Sequence, residues 1–448
     1  REMLRSVGAI GVGTLSAGAL AACAATPQVV KETVVVKETV VVEAEAPVAR
    51  EFVLEMYVPF NAAYATYSER EIHPQLKDKY PGATVYFRPL DWGRINEMLL
   101  SSRAAGTMPD LFFMGASFVP LAAENDLSLV LDELLDEWGQ RDDFYPAALE
   151  TCQWDGKTWG LPQQSGPRVY SYRSDLSDES GVTIPADWTW DDFLGAAEDL
   201  TILEGNKVIR AGCLAWMDTQ EWMAIVMSAG TTVRGNILKG GKVAFNSEGG
   251  LWALEFVKAR KEAVAPEGYA PLPQSPIPYV ATGQVVIGYS EGNIVATQVK
   301  QYAADKYDAM VVQQPPLKSQ RIALSNTNWL AIASTTRHQQ AAWELLKLHM
   351  TPGALNQWNG GIGLLPPRKS AAAEAAYLDH PTFEVVTEVF ETQSVPFVMI
   401  PSWSEWDAVL RPMIEASTLG LKTPEQALAD AERDINELFK DRPDWPDM

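Results

Sequence analysis

The residues best placed to do chemistry are aromatic and amide side chains. Fifteen tryptophans stand among 448 residues, and Trp92, Trp216, Trp222, Trp329, Trp403 and Trp406 fall between expected elements rather than along their apolar faces. An indole plane stacks on the C–H face of a sugar ring, and the ring's hydroxyls call for amides and carboxylates. Asn61, Gln163, Gln164, Glu291, Asn293 and Asn328 supply those groups, and all are candidate ligand contacts. This is the chemistry of holding a small polar molecule, with no covalent step.

Covalent chemistry has one rival signal. Gly288-Tyr289-Ser290-Glu291-Gly292 matches G-x-S-x-G behind the β-like run Val285–Ile287, the context of a nucleophile elbow, and His338, His349 and His380 lie downstream. Against it, no HG-type oxyanion loop lies upstream. Asn293, Ile294 and Val295 make a poor helix start, His380 precedes a proline, and His338 and His349 sit on a surface-looking helix. Gly361-Ile362-Gly363 lacks the third glycine of a dinucleotide fingerprint, and Gly235–Lys242 lacks Walker spacing. Four histidines without helical pairing argue against a metal site. Asp191-Asp192 reads as a helix N-terminus. The expectation is therefore no catalytic residue, no metal and no cofactor. A secreted α/β hydrolase using Ser290 is the alternative class.

The elements that must position these groups alternate. Phe52–Val58, Thr84–Arg88 and Asp110–Met114 read as strands separated by helices, a βαβαβ pattern that implies a parallel α/β sheet. Ligands in such sheets bind beyond the strand C-termini. That points to Phe60-Asn61, Pro89–Trp92 and the Met114–Ala116 turn. Thr189 with Asp192 caps one helix, and Ser247–Arg260 is another. Thr336 and Gln339 have capping-box spacing ahead of the face Ala342, Leu345, Leu346, Met350. A second short helix is expected to stop at Gly360-Gly361, before the stiff run Leu364–Pro367. Thr423, Pro424 and Gln426 open a last helix with Leu428, Ala431, Ile435 and Leu438 on one face.

The stretch MTPGALNQWN (350–359) followed by GIGLLPPRKSA (361–371) resembles a hallmark of the bacterial extracellular solute-binding proteins of family 1, the maltodextrin-binding type of ABC importer component. GTMPDLFFM (106–114), WDGKTWGLP (154–162), VYSYRSDL (169–176), DWTWDDF (187–193), NSEGGLWALEFVKAR (246–260) and KTPEQALADAERDINELF (422–439) follow in the matching order, so the resemblance covers roughly residues 51–440. It implies a two-lobed α/β periplasmic-binding-protein-like fold of type II, with three hinge crossovers and a ligand cleft between the lobes. The crossovers would lie where Trp159–Pro162 leads to the extended Val169–Arg173, near Gln314–Ala323 and at 364–369. One lobe would comprise 51–164 plus 320–364, the other 165–319 plus 365–448. Trp222 and Trp406 align with stacking aromatics of maltodextrin-binding relatives, and the Gly288–Gly292 loop, with Tyr289, aligns with one that contacts ligand. The implied function is capture of a sugar or oligosaccharide for an ABC permease, without catalysis. The alternative ligands are a polyamine or glycerol phosphate.

A net charge of −22 argues against nucleic acid or an anionic membrane surface as partner, and the expected state is a monomer. Arg1 and Arg5 precede the apolar run Val7–Ala22, which has signal-peptide character and ends Leu20-Ala21-Ala22-Cys23, resembling a lipobox. Residues 1–22 read as a signal peptide truncated at its start and Cys23 as the lipidated residue, so the expected location is the outer face of the cytoplasmic membrane. The repeat Val29–Val34, Val35–Val40 makes residues 24–50 a wet, extended tether that spans at most about 90 Å. Cys152 and Cys213 are expected in different lobes, unbridged.

Overall fold

The computed structural model describes residues 50–59, 62–90, 94–230, 238–239, 242–243, 245–396, 403–438 and 440. Cys23, the tether, Phe60, Asn61 and Trp92 lie outside the described residues.

Ten strands form one mixed sheet: β1 (Phe52–Pro59), β2 (Ala83–Leu90), β3 (Leu111–Gly115), β4 (Leu161–Arg173), β5 (Ile202–Glu204), β6 (Lys207–Cys213), β7 (Val285–Glu291), β8 (Met310–Gln313), β9 (Ala323–Ile332) and β10 (Ser394–Pro396). Their order is β2-β1-β3-β9-β4-β7-β6-β5, with β8 on β4 and β10 on β9. β1 pairs β2 and β3 in parallel, as the βαβαβ pattern requires. In β1, Leu54, Met56 and Val58 enter one core cluster while Tyr57 enters another, so this strand is covered on both faces.

β4 holds the molecule together. Its first half pairs antiparallel with β9, and from Arg168 onward it pairs with β7 and β8. One continuous strand therefore joins the two halves of the sheet. Because side chains alternate, Gln164, Gly166 and Arg168 share a face. Where the expected crossovers meet, Val169, Val312, Ala323 and Leu365 pack with Phe383, Val386 and Phe390 of the Pro381–Thr392 helix. The junction is a packed hydrophobic cluster rather than free chain.

Local signals hold in part. Thr189 and Asp192 form a reciprocal capping box, and Thr423 and Gln426 exchange the same pair of bonds. Thr336 does not cap. The helix begins at Gln339 behind His338, and the Thr336 hydroxyl donates instead to Asp110 at 2.5 Å, a tertiary partner that outbids the local one. The next helix runs through Gly360-Gly361 to Ile362, because the left-handed stop is Gly363, with φ 81°. A helix does follow the elbow-like turn, from Ile294, although no side chain caps it. Leu438 is exposed, whereas Leu428, Ala431 and Ile435 are buried as expected. His349 is not on a surface: it is 0 % exposed, and its Nδ1 lies 2.5 Å from the Tyr64 hydroxyl. Cys152 and Cys213 are buried free thiols.

Candidate functional site

A cavity of about 610 Å³ opens over the strand ends. Its floor follows from strand periodicity. Gln164 of β4 pairs with Asn328 of β9, Gly166 with Asn326, and Arg168 with Glu291 of β7. Each of these side chains except that of glycine lines the cavity. The Ile294–Tyr302 helix presents Ile294, Thr297, Gln298 and Gln301, spaced i, i+3, i+4 and i+7, as one wall. Gly115–Phe118, at the C-terminal end of β3, and Trp358 to Leu364 supply the others.

Gly166 is required by close approach. A Cβ there would sit 3.1 Å from Leu364 Cδ2 and 3.2 Å from the Gly292 nitrogen. Gly292 has φ +48°, and its own Cβ would meet Leu364 and the Gly363 carbonyl at 2.9 and 3.0 Å. These glycines let two strands and the Pro352–Ile362 helix terminus converge beneath the cavity.

The lining is amide-rich, and among the described residues it carries one cation, Arg168, and one anion, Glu291. Arg168 is committed. It donates from Nη1 to Asp218 at 2.8 Å, lies 4.0 Å from Glu291 and stacks over the Tyr289 ring at 5.4 Å. Burial would weaken its charge, but Asp218, Tyr289 and Glu291 outweigh that and raise its pKa. Asn326 donates from Nδ2 to both Glu291 and Gln220. Gln164 accepts from the Trp358 indole at 2.8 Å, leaving its amide N–H groups to a ligand. The site thus offers fixed neutral donors and acceptors beside Phe113, Phe118 and Trp358, with its charges mutually neutralised.

A second cavity of about 190 Å³ adjoins this network through Asp218 and Tyr289. Trp216, 53 % exposed, stands at it. Behind it, Glu221 accepts from Arg260 at 2.7 Å and from the Tyr170 hydroxyl at 3.0 Å. Burial raises the Glu221 pKa despite that cation, while Arg260 keeps its charge because Glu221 overcomes its own desolvation.

Of the residues expected from sequence, Gln164, Glu291 and Asn328 line the large cavity, and Trp216 and Tyr289 line the small one. Trp403 is half-buried against the same core that holds Trp222. The remaining described ones are placed away from both cavities by their surroundings. Trp222 and Trp406 are both 0 % exposed and flank Phe245, with ring centroids 5.5 and 6.4 Å away. On the first turn of the Thr219–Ser228 helix Gln220 faces the large cavity, while Trp222, two residues on, turns into the core. Met114 and Trp329 pack in the core, where the Trp329 indole donates to the Gly115 carbonyl. Gln163 points to the face opposite Gln164, towards Tyr64. Asn293 is buried and donates to Thr382 at 2.7 Å. Ser290 makes no hydrogen bond with a histidine among the described residues, and His380 instead engages Thr382.

Sequence reasoning missed Asn326, Gln220, Trp358 and the Thr297–Gln301 face. Asn326 was legible two residues before Asn328 on one strand, and the helical face by its spacing. Gln220 and Trp358 arrive only by tertiary packing. Two long-range contacts close the site's surroundings. Asn96 donates to the Ser404 hydroxyl at 3.2 Å, and Ala116 packs within the cluster that contains Trp222 and Trp406.

Residues 71–385 match a family model described as a bacterial extracellular solute-binding protein. A protein of Brucella abortus described as a binding protein is 22% identical over 393 residues, covering 85% of this chain and 92% of its own. An ABC transporter solute-binding protein from Thermotoga lettingae, solved with alpha-D-tagatose, superposes with a TM-score of 0.71 at 21% identity, covering 86% of this chain and 99% of its own. An ABC substrate-binding protein from Listeria monocytogenes in complex with cycloalternan gives 0.72 at 20%, covering 87% and 99%. Maltose-bound MalE3 of T. maritima gives 0.69 at 18%, covering 86% and 99%. These likenesses carry the two-lobed α/β fold.

Proposed function

We propose, from the premise that this chain belongs to the family of bacterial extracellular solute-binding proteins, that it is the substrate-binding component of an ABC importer and that its ligand is a neutral saccharide. The family is one of binding proteins, not enzymes, and its members are exported. The observation that carries the saccharide reading is the 610 Å³ cavity, with six amide side chains, aromatic walls and a single paired cation. Hydroxyls of a sugar exchange water for Gln164, Gln298, Gln301, Asn326 and Asn328, and ring C–H faces lie on Phe118 or Trp358. A phosphate would require an uncommitted cation, and Arg168 is already held by Asp218. A polyamine would require uncommitted carboxylates, and Glu291 is held by Asn326. The names of the solved relatives, bound to tagatose, cycloalternan and maltose, support the same reading.

Capture proceeds by closure of the two lobes about β4 and the packed junction. We assign residues 51–164 with 320–364 to one lobe and 165–319 with 365–448 to the other. On that division the Asn96–Ser404 hydrogen bond spans the lobes and favours the closed state. Trp216, Tyr289 and the small cavity would extend the site for a second ring. Phe60, Asn61 and Trp92 follow β1 and β2 and belong to the same set by chain position. Membrane attachment through Cys23, delivery to a permease and a monomeric state complete the proposal. Cys23→Ser should move the protein from the detergent to the aqueous phase, and unchanged partition of that variant removes the anchor.

The experiment is a thermal-shift screen of the purified domain against saccharides, polyamines and glycerol phosphate. A true ligand at 100 times its Kd stabilises by about 2.7 kcal/mol. Stabilisation by a polyamine or glycerol phosphate and by no saccharide would reject the saccharide reading.

A further inference from the structure

A separate cavity of about 260 Å³ lies between the C-terminal halves of β1 and β2 and the helix that begins at Ala62. Its chemistry differs from that of the amide-lined cavity. Tyr64, Tyr86 and Phe87 bring aromatic rings to it, and Glu69 and His73 bring a carboxylate and an imidazole. The helix carrying them contains a π-helical segment, Ser68–Ile72, that includes Glu69 and ends immediately before His73. Such widened turns recur at functional sites.

Glu69 makes no ion pair or hydrogen bond among the described residues, although its neighbours Arg70 and Glu71 pair with each other. The His73 Nε2 is buried without a partner, and the His73 ring lies 5.5 Å from that of Phe87. Tyr64 is fixed by His349 and by an edge contact to Trp358 at 4.9 Å. Glu69 and His73 also line a neighbouring space of about 300 Å³, so they form a partition reached from two sides.

An uncommitted carboxylate, an unpartnered imidazole nitrogen and aromatic faces define a ligand that is cationic, donates hydrogen bonds and carries apolar surface. We propose that this cavity binds a small organic ammonium ion, with Glu69 as counter-ion, the His73 Nε2 as hydrogen-bond acceptor and Tyr64, Tyr86 and Phe87 as cation-facing aromatics. Burial lowers the His73 pKa, with Lys77 acting in the same direction and Glu69 against it, which favours the neutral ring whose Nε2 can accept. The proposal does not depend on what the large cavity holds.

The probe is benzylammonium, with benzyl alcohol as the uncharged control, titrated by calorimetry and by NMR at pH 7.5. The expected result is at least tenfold tighter binding of the ammonium, reduced about tenfold in Glu69→Gln and in His73→Phe and unchanged in Asn328→Ala of the large cavity. Thermal melts of each variant establish that it is folded. Equal binding of the alcohol, or no effect of Glu69→Gln, overturns the proposal. So does loss of binding in Asn328→Ala, which would place the probe in the large cavity. Pro59 borders both cavities, which makes that last arm necessary.

Discussion

Removing the Trp222 side chain separates a core residue from a ligand contact. A buried indole removes about 150–250 Å² from water, which at about 25 cal/mol/Å² is about 4–6 kcal/mol. Measured truncations of buried aromatics cost about 3–5 kcal/mol, and the edge contact with Phe245 adds to the loss. Trp222→Ala should therefore lose about 3–5 kcal/mol of ligand-free stability in urea unfolding followed by fluorescence. Its affinity for the saccharide that the screen identifies, measured by calorimetry where both proteins are folded, should change less than about threefold, because the indole reaches neither cavity. Trp216→Ala is the mirror experiment. At 53 % exposure its truncation should cost under about 1 kcal/mol of stability. It should weaken binding about tenfold if the small cavity takes a ring. Unchanged ligand-free stability of Trp222→Ala together with a tenfold or greater loss of affinity would refute this placement and restore Trp222 to the cleft.

Asn328→Ala should leave the unfolding midpoint nearly unchanged and cost about 1 kcal/mol in binding, about fivefold in Kd, because it removes a floor donor and acceptor. Arg168→Met strands Asp218 and Glu291 beside each other. We expect about 1–3 kcal/mol of lost stability, less than for a dry pair because Asp218 is partly exposed, and the loss should shrink at high salt. Gly292→Ala should cost about 1–3 kcal/mol and weaken ligand binding, since it forces Leu364 and the Gly363 carbonyl away from the cavity base. His349 has its pKa pushed down to about 3 by burial. Its folded value lies below its unfolded one, so its contribution is complete above about pH 6.5 and is lost as pH falls from there towards 3. The stability difference between wild type and His349→Leu should fall by about 1.4 kcal/mol per pH unit within that window, and a pH-independent difference would contradict the buried neutral imidazole.

Much of the architecture was written in local pattern. Apolar runs marked β1, β3 and β7, and the boxes at Thr189 and Thr423 closed because their partners lie three residues away. The floor amides Gln164 and Asn328 could be named from residue type. What could not be read locally was which aromatic faces solvent. Trp216 and Trp222 are six residues apart and chemically identical, yet one stands at a cavity and the other is sealed against Phe245. The difference lies in what packs from elsewhere in the chain, the Glu248–Val264 and Trp403–Thr418 helices among it. Thr336 turned from its own helix to Asp110, and His349 from an apparent surface to Tyr64, for the same reason: a buried polar group takes the partner that tertiary packing brings, and sequence spacing ranks only the near ones. Sequence therefore determined several of the strands, the caps at Thr189 and Thr423 and the kinds of side chain available to a ligand. Tertiary structure decided which of them converge, because β4 meets β7 and β9 across more than 100 residues of intervening chain to assemble one floor.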